Sequence, residues 1–254
     1  MMLSKYDYDL VIKFFVGRPN RQNGNKNLCF SCSMSINDMD ITSYGSIWGE
    51  NQVLHLGSHF EVYSRKNRYQ KRWNLYNTIS KNTPIYSGIE VQTQKKPASS
   101  VSGNFGEVLT IMALEHMVAP RQLQVCHMTS KIKGRNASKC PDLLVESRPF
   151  TKPYKKFKKK NPNAPELPAF LPGECKNNYS IRALRQLTSY WLEIGPQADT
   201  YGFGFISCIN YADPSNSIEI YLLIPKNKAK LQKLLSNNAN ITHEDFKGCF
   251  YGFE

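Results

Sequence analysis

Apolar and polar positions divide the chain into stretches of different rhythm. Residues 9–16 form an apolar run closed by Gly17-Arg18-Pro19, and 20–27 are polar, which predicts a strand and the loop that ends it. Residues 28–36 alternate loosely, and 53–63 and 84–91 predict further strands, so 1–98 reads as a β-rich region suited to substrate recognition. The polar segment KKPASSVS at 95–102 marks a boundary. Beyond it the period becomes helical. Phe105, Val108, Leu109 and Met112 recur at i, i+3, i+4 and i+7, and Ile111, Leu114 and Val118 widen the stripe until Pro120 stops it.

Strands follow at 123–128, 142–145 and 170–176, with a basic loop at 131–139. An amphipathic helix at 181–194 carries Leu184, Leu187, Tyr190 and Trp191 on one side. Strands at 201–210 and 218–224 and a short Lys/Leu helix at 226–235 complete the pattern. Between 147 and 168 lies a Pro- and Lys-rich stretch with six lysines from Lys152 to Lys160 and no acid before Glu166, which predicts a flexible cationic insertion. The order of elements over 99–254 predicts a mixed α/β domain, one sheet with helices on both faces.

Composition narrows the partner. Of the 254 residues 41% are hydrophobic and 21% charged, the balance of a folded protein. Lys and Arg number 33 against 20 Asp and Glu, a net charge of +13 that points to a polyanion. No stretch approaches the roughly 18 consecutive apolar residues of a spanning helix, so no membrane partner is expected. Lys5, Asp7 and Asp9 precede the first apolar run, which is not the order of a secretory signal; an intracellular protein, cytoplasmic or nuclear, is expected. Seven cysteines, an odd number spread through apolar segments, suit reduced thiols.

Candidate anion contacts fall in three basic stretches. Arg65, Lys66, Arg68, Lys71 and Arg72 are interleaved with Tyr69, Trp73 and Tyr76, cations beside rings that can hold phosphates and stack on bases; the same pattern also reads as a solvated helix face. Lys131, Lys133 and Arg135 lie in the basic loop, and Lys155, Lys156, Lys158, Lys159 and Lys160 in the insertion.

The chemistry concentrates on two acids and a lysine. Asp142 opens one strand, Glu174 sits near the end of the next, and Lys176 follows at i+2 on the same face while Cys175 points the other way. A carboxylate pair with a main-chain carbonyl suits Mg²⁺ or Mn²⁺, and an adjacent ammonium can hold or help deprotonate a water there. The other reading is a turn acid and a surface ion pair.

Pro141-Asp142 followed by Gly173-Glu174-Cys175-Lys176 resembles the PD-(D/E)xK nuclease superfamily. That resemblance implies a restriction-endonuclease-like mixed central sheet flanked by helices over about 103–225, beside the β-rich N-terminal region. It also implies a metal-dependent nuclease that hydrolyses phosphodiester bonds of DNA, or of RNA, endonucleolytically. Asp142, Glu174 and the Cys175 carbonyl would bind Mg²⁺ or Mn²⁺, and Lys176 would be the catalytic lysine. The spacing of 32 residues between the acids is longer than a minimal hairpin needs, and the insertion accounts for it. Glu107 on the preceding helix matches the place of an extra acid; Asn104-x-x-Glu107 reads equally as an N-cap with its reciprocal acid in the first turn. Gln186-x-x-x-Tyr190 is similar to a motif of the RecB-like branch, and Arg182 and Arg185 on the same helix could reach a phosphate. The alternatives are a nucleic-acid-binding protein with a non-catalytic nuclease fold, or a nuclease subunit active only with partners in a transposition or defence complex. A homodimer or a protein partner is compatible with either. Cys29-x-x-Cys32 and His55-x-x-x-His59 have internal spacings suited to zinc, but 22 residues separate the pairs and apolar neighbours favour core thiols.

Overall fold

The computed structural model describes residues 7–19, 27–37, 55–56, 60–62, 99–119, 123–129, 141–176, 179–210, 217–237 and 241–254. The strands are β1 (Asp7–Val16), β2 (Leu28–Asn37), β3 (His55–Leu56), β4 (Phe60–Val62), β5 (Val125–Thr129), β6 (Leu143–Glu146), β7 (Phe170–Lys176), β8 (Gly204–Asn210) and β9 (Ser217–Leu223). The helices are α1 (Ser99–His116), α2 (Arg148–Lys160), α3 (Ile181–Ile194) and α4 (Lys228–Asn237). Among the described residues the nine strands join one sheet in the order β2-β1-β9-β8-β7-β6-β5-β4-β3, with β7 at its centre.

Alternation along the strands sorts their side chains between two cores. Phe14, Leu143, Val145, Leu171, Phe205 and Ile220 face α1 and α2, whereas Phe15, Leu144, Ile206, Tyr221 and Leu223 face α3, α4 and the C-terminal turns with Phe246, Phe250 and Phe253. The result is a mixed α/β fold with helices on both faces, as the order of elements predicts. The expected strands at 28–36 and 170–176 and the helix at 181–194 are present with bounds within a residue. The expected strand at 84–91 lies outside the described residues.

The β-rich N-terminal region contributes to this same sheet. β1 runs parallel to β9 from Val11 opposite Ser217 to Val16 opposite Leu222, and β2 closes that edge antiparallel to β1. The boundary near residue 98 therefore divides the chain but leaves β1 and β2 inside the common sheet.

The stretch expected to be a flexible insertion is helix α2. Phe150, Pro153, Tyr154 and Phe157, at i, i+3, i+4 and i+7, form an apolar stripe beneath the lysines; the first three are buried and Phe157 packs partly buried against the same core. Phe150 packs edge-on to Phe14 and tilted on Phe205, with centroids at 6.2 and 5.1 Å. Lys and Pro dominate the composition, but burial of that stripe stabilises the helix. Phe150→Ala should lower stability by about 3–5 kcal/mol, read as a fall in the urea midpoint with an unchanged slope; a loss below about 1 kcal/mol would mean that α2 is not part of the cooperative core.

Candidate active site

Strand pairing brings Asp142 to Glu174. β6 and β7 are antiparallel, with Leu143 opposite Gly173. Asp142, just before β6, thus meets the end of β7 that carries Glu174 and Lys176. Asp142 Oδ2 accepts a hydrogen bond from the Cys175 N–H at 2.9 Å and another from Lys176 Nζ at 3.4 Å. Lys176 Nζ also lies 2.5 Å from Glu174 Oε2.

Depth differs among the three side chains. Glu174 is fully buried (0% exposed), whereas Asp142 and Lys176 remain 21% and 27% exposed, so the trio forms a niche with Glu174 at its floor. The contact of Lys176 with Glu174 is a buried ion pair, and Asp142 beside it adds a second carboxylate to the same niche. Two carboxylates held together in a buried niche with one ammonium between them are costly. Burial, and then the Asp142 charge, push the Glu174 carboxyl well above its ordinary range. Burial and then Glu107 push Asp142 up as well, partly offset by Lys176. Although burial disfavours its charge, the two carboxylates hold the Lys176 ammonium above its usual value. Lys176 is therefore a charged group that can position and stabilise, not a free base.

Continuing the β6–β7 register by two residues sets Pro141 opposite Cys175. A strand residue's N–H and C=O point to the same neighbour, so the Cys175 carbonyl faces the side of Asp142. Proline has no N–H to offer it. That carbonyl is the third oxygen the sequence assigned to the site.

Glu107 is buried, 7% exposed, in the middle of α1. The helix begins at Ser99, so Asn104 is an internal residue and the N-cap reading of Asn104 and Glu107 fails, as does the placing of Glu107 in the first turn. Thr110 fixes α1 on the sheet. Its Oγ1 lies 2.7 Å from both the Gly106 carbonyl and the Ser207 hydroxyl of β8, which holds Glu107, nearly one turn earlier, within electrostatic reach of Asp142. Pattern reading did not single out Thr110 or Ser207, because a polar residue in an apolar stripe carries no partner's name.

Other expected site residues are distributed differently. Arg182 is exposed in the first turn of α3, near the end of β7. Arg185 turns its guanidinium to the Ile241 carbonyl, with Nε and Nη2 donating at 3.0 and 2.8 Å, a structural tie. Tyr190 is core: it is 4% exposed and its hydroxyl lies 3.1 Å from Thr200 Oγ1. Gln186 is half-buried on α3 one turn before Tyr190.

The lysines of α2 lie at the opposite end of the sheet. Following the strand directions across, β1 and β6 run the same way. Val16 and Glu146 therefore share one end and Asp142 lies at the other, while Lys156, Lys159 and Lys160 surround a cavity beside Val16. Lys158 pairs with Glu166, and Lys155 is exposed. Arg65, Lys66, Arg68, Lys71, Arg72, Lys131, Lys133 and Arg135 lie outside the described residues.

The zinc reading does not survive the topology. Cys29 and Cys32 are on β2 and His55 is on β3, at the two outer edges of the sheet. Eight strand spacings separate them, about 38 Å at the usual ~4.8 Å per strand. Cys29 Sγ instead donates to the Phe14 carbonyl at 3.2 Å, and Cys32 Sγ lies 3.6 Å from Met117 Sδ. His59 lies outside the described residues. Among the described residues, no group of three or more His, Cys, Asp or Glu side chains converges as a metal cage, and no helix is long and apolar enough to cross a membrane.

No family model matches the chain, and no curated protein or solved structure does so either.

Proposed function

We infer that the protein is a metal-dependent nuclease of the PD-(D/E)xK type, with DNA as its default substrate. The observation that carries this reading is the convergence of fully buried Glu174 and of Asp142 on Lys176, two carboxylates sharing one ammonium. Order of elements supports it too: α1, then the antiparallel strands β5, β6 and β7, then α3 and β8 parallel to β7, with α2 added between β6 and β7.

The donor set fits a hard divalent cation. Mg²⁺ is commonly held by one or two carboxylates with waters filling the remaining positions, so Asp142, Glu174 and the Cys175 carbonyl suffice without a third acid. Bound there, the cation supplies Lewis-acid polarisation of a phosphoryl oxygen and lowers the pKa of an adjacent water. Asp142 and Glu174 hold the negative charge that selects a cation. Lys176, at the rim, holds the attacking water or a phosphate oxygen and stabilises charge that develops on the phosphoryl group. Glu107 adds negative charge behind Asp142, and Arg182 offers a phosphate contact at the rim.

Incubating the protein with supercoiled and linear DNA in Mg²⁺ or Mn²⁺ tests the reading, with Asp142→Asn and Lys176→Met alongside. Each substitution should slow cleavage at least ~10²-fold, and DNA binding in EDTA should persist. Equal cleavage by the three proteins would refute the assignment. Binding without cleavage by the wild type would favour a non-catalytic or partner-dependent role.

A further inference from the structure

A second concave site lies at the end of the sheet remote from Asp142. It is a cavity of about 430 Å³ whose lining includes Lys156, Lys159, Lys160, Asn161, Phe157 and Tyr251. That volume falls within the ordinary range of small-ligand pockets.

Its charge is one-sided. Lys156, Lys159 and Lys160 stand at i, i+3 and i+4 on α2, and Lys152 continues the row one turn earlier. Like charges at these spacings repel one another; the helix dipole offsets this in part, since Lys159 and Lys160 lie in the last turn. Glu166 takes only Lys158. Lys152 and Lys156 both stand over the Phe30 ring, 4.8 and 4.9 Å from its centroid, which leaves their positive charge unneutralised. Among the described residues that line it, Glu254 supplies the one carboxylate side chain, against three ammonium groups.

The wall is also aromatic. Tyr251 is half-buried and meets Phe157 edge-on at 5.3 Å, so a ring stands at the pocket beside the cations. The Asn27 and Asn161 amides also line it, each donating from Nδ2 to a backbone carbonyl, Arg18 at 3.3 Å and Phe157 at 3.2 Å, so that their Oδ1 atoms are what they offer to a ligand. Cys29 contributes no reactive group, since burial pushes its thiol up to about 12. Ammonium groups, amides and an aromatic face in one small cavity match the parts of a nucleotide.

We propose that this cavity binds a nucleotide, free or as the phosphorylated end of a strand, with its phosphates on Lys156, Lys159 and Lys160 and its base on Tyr251. The site is independent of the carboxylate niche and stands whether or not the niche cuts DNA.

Titration calorimetry of the intact protein in EDTA, against AMP, ATP, inorganic phosphate and a 5′-phosphorylated oligonucleotide, tests it. Saturable one-to-one binding of a nucleotide or of the oligonucleotide is expected. Affinity should fall at least tenfold in Lys156→Glu/Lys160→Glu and be unchanged in Lys233→Glu, an exposed lysine of α4 on the other face of the sheet. Tyr251→Leu should weaken the nucleotides and leave inorganic phosphate unchanged. Tighter binding of the oligonucleotide assigns the strand end, and tighter binding of ATP a free nucleotide; both support the site. If the double variant melts early, Lys159→Gln replaces it, with a loss of about threefold or more expected. No saturable binding by any of the four probes, or undiminished binding in the lysine variants, overturns the proposal.

Discussion

Replacing Glu174 by glutamine is expected to stabilise the metal-free protein at pH 8 and to abolish its response to Mg²⁺. Glu174 is fully buried, and burial and the Asp142 charge raise its pKa. A carboxyl raised by folding leaves stability intact below its ordinary value, 4.5 for glutamate, and stability is lost as pH rises through the folded value. Asp142, raised from 3.8, acts in the same sense. Lys176, raised from 10.5, contributes stability that is constant across the neutral range and lost only at still higher pH.

Wild type without metal should therefore lose stability from about pH 4.5 upward, at about 1.4 kcal/mol per pH unit until the buried carboxyl ionises, whereas Glu174→Gln should show a flatter profile. The opposing effect is loss of the Lys176 ion pair, and breaking a well-compensated buried pair costs about 3–5 kcal/mol. Here the loss is smaller, because Asp142 repels the Glu174 charge and Lys176 keeps Asp142 as a partner. Net stabilisation of roughly 1 kcal/mol or more at pH 8 is the expected outcome. Mg²⁺ at a hundred times its Kd should add about 2.7 kcal/mol to the wild type and nothing to the variant. Denaturant midpoints from pH 4 to 9, with Mg²⁺ and with EDTA, measure both effects. Equal Mg²⁺ responses would remove Glu174 from the ligand set.

Gly173→Ala is expected to be among the most damaging single-methyl changes in the protein. A Cβ at residue 173 would stand 2.0 Å from Phe205 Cζ and 2.3 Å from its Cε1, inside the ring. Phe205 cannot easily retreat, since it is 0% exposed and packs on Phe150 at 5.1 Å. Overpacking of this kind typically costs 1–3 kcal/mol and can cost more when the backbone must move. On the central strand, one residue before Glu174, that movement would also displace Glu174 and Lys176. Loss of about 3 kcal/mol or more, with cleavage falling further than the unfolded fraction explains, is the expected result. Phe205→Leu should recover part of it in the double variant, and strict additivity of the two changes would contradict a direct contact.

Glycine inside a strand signals a close approach, and here it does so immediately before Glu-x-Lys. Which ring approaches was not legible, because Phe205 lies 32 positions away on a strand whose neighbours only the fold decides. The lysine run gives the opposite lesson. Phe150, Pro153, Tyr154 and Phe157 carry a helical period in plain view, and the density of lysine and proline obscured it. Asn104 misled for a local reason: a capping pattern was present in the sequence, but the helix begins earlier, at Ser99.

What the sequence by itself determined is whatever depends on period. Apolar runs and alternation located β1, β2, β7, β8 and β9, the 3.6-residue stripe located α3, and two-residue spacing put Glu174 and Lys176 on one face. Tertiary structure alone decided that β1 joins β9, that Cys29 and His55 lie at opposite edges, and that the α2 lysines surround a cavity remote from Asp142. It also buried Glu174 at the floor of the niche under Lys176. The physical reason is that period is a property of neighbouring residues, whereas strand order and register come from burying two faces of one sheet at once, between segments far apart in the chain.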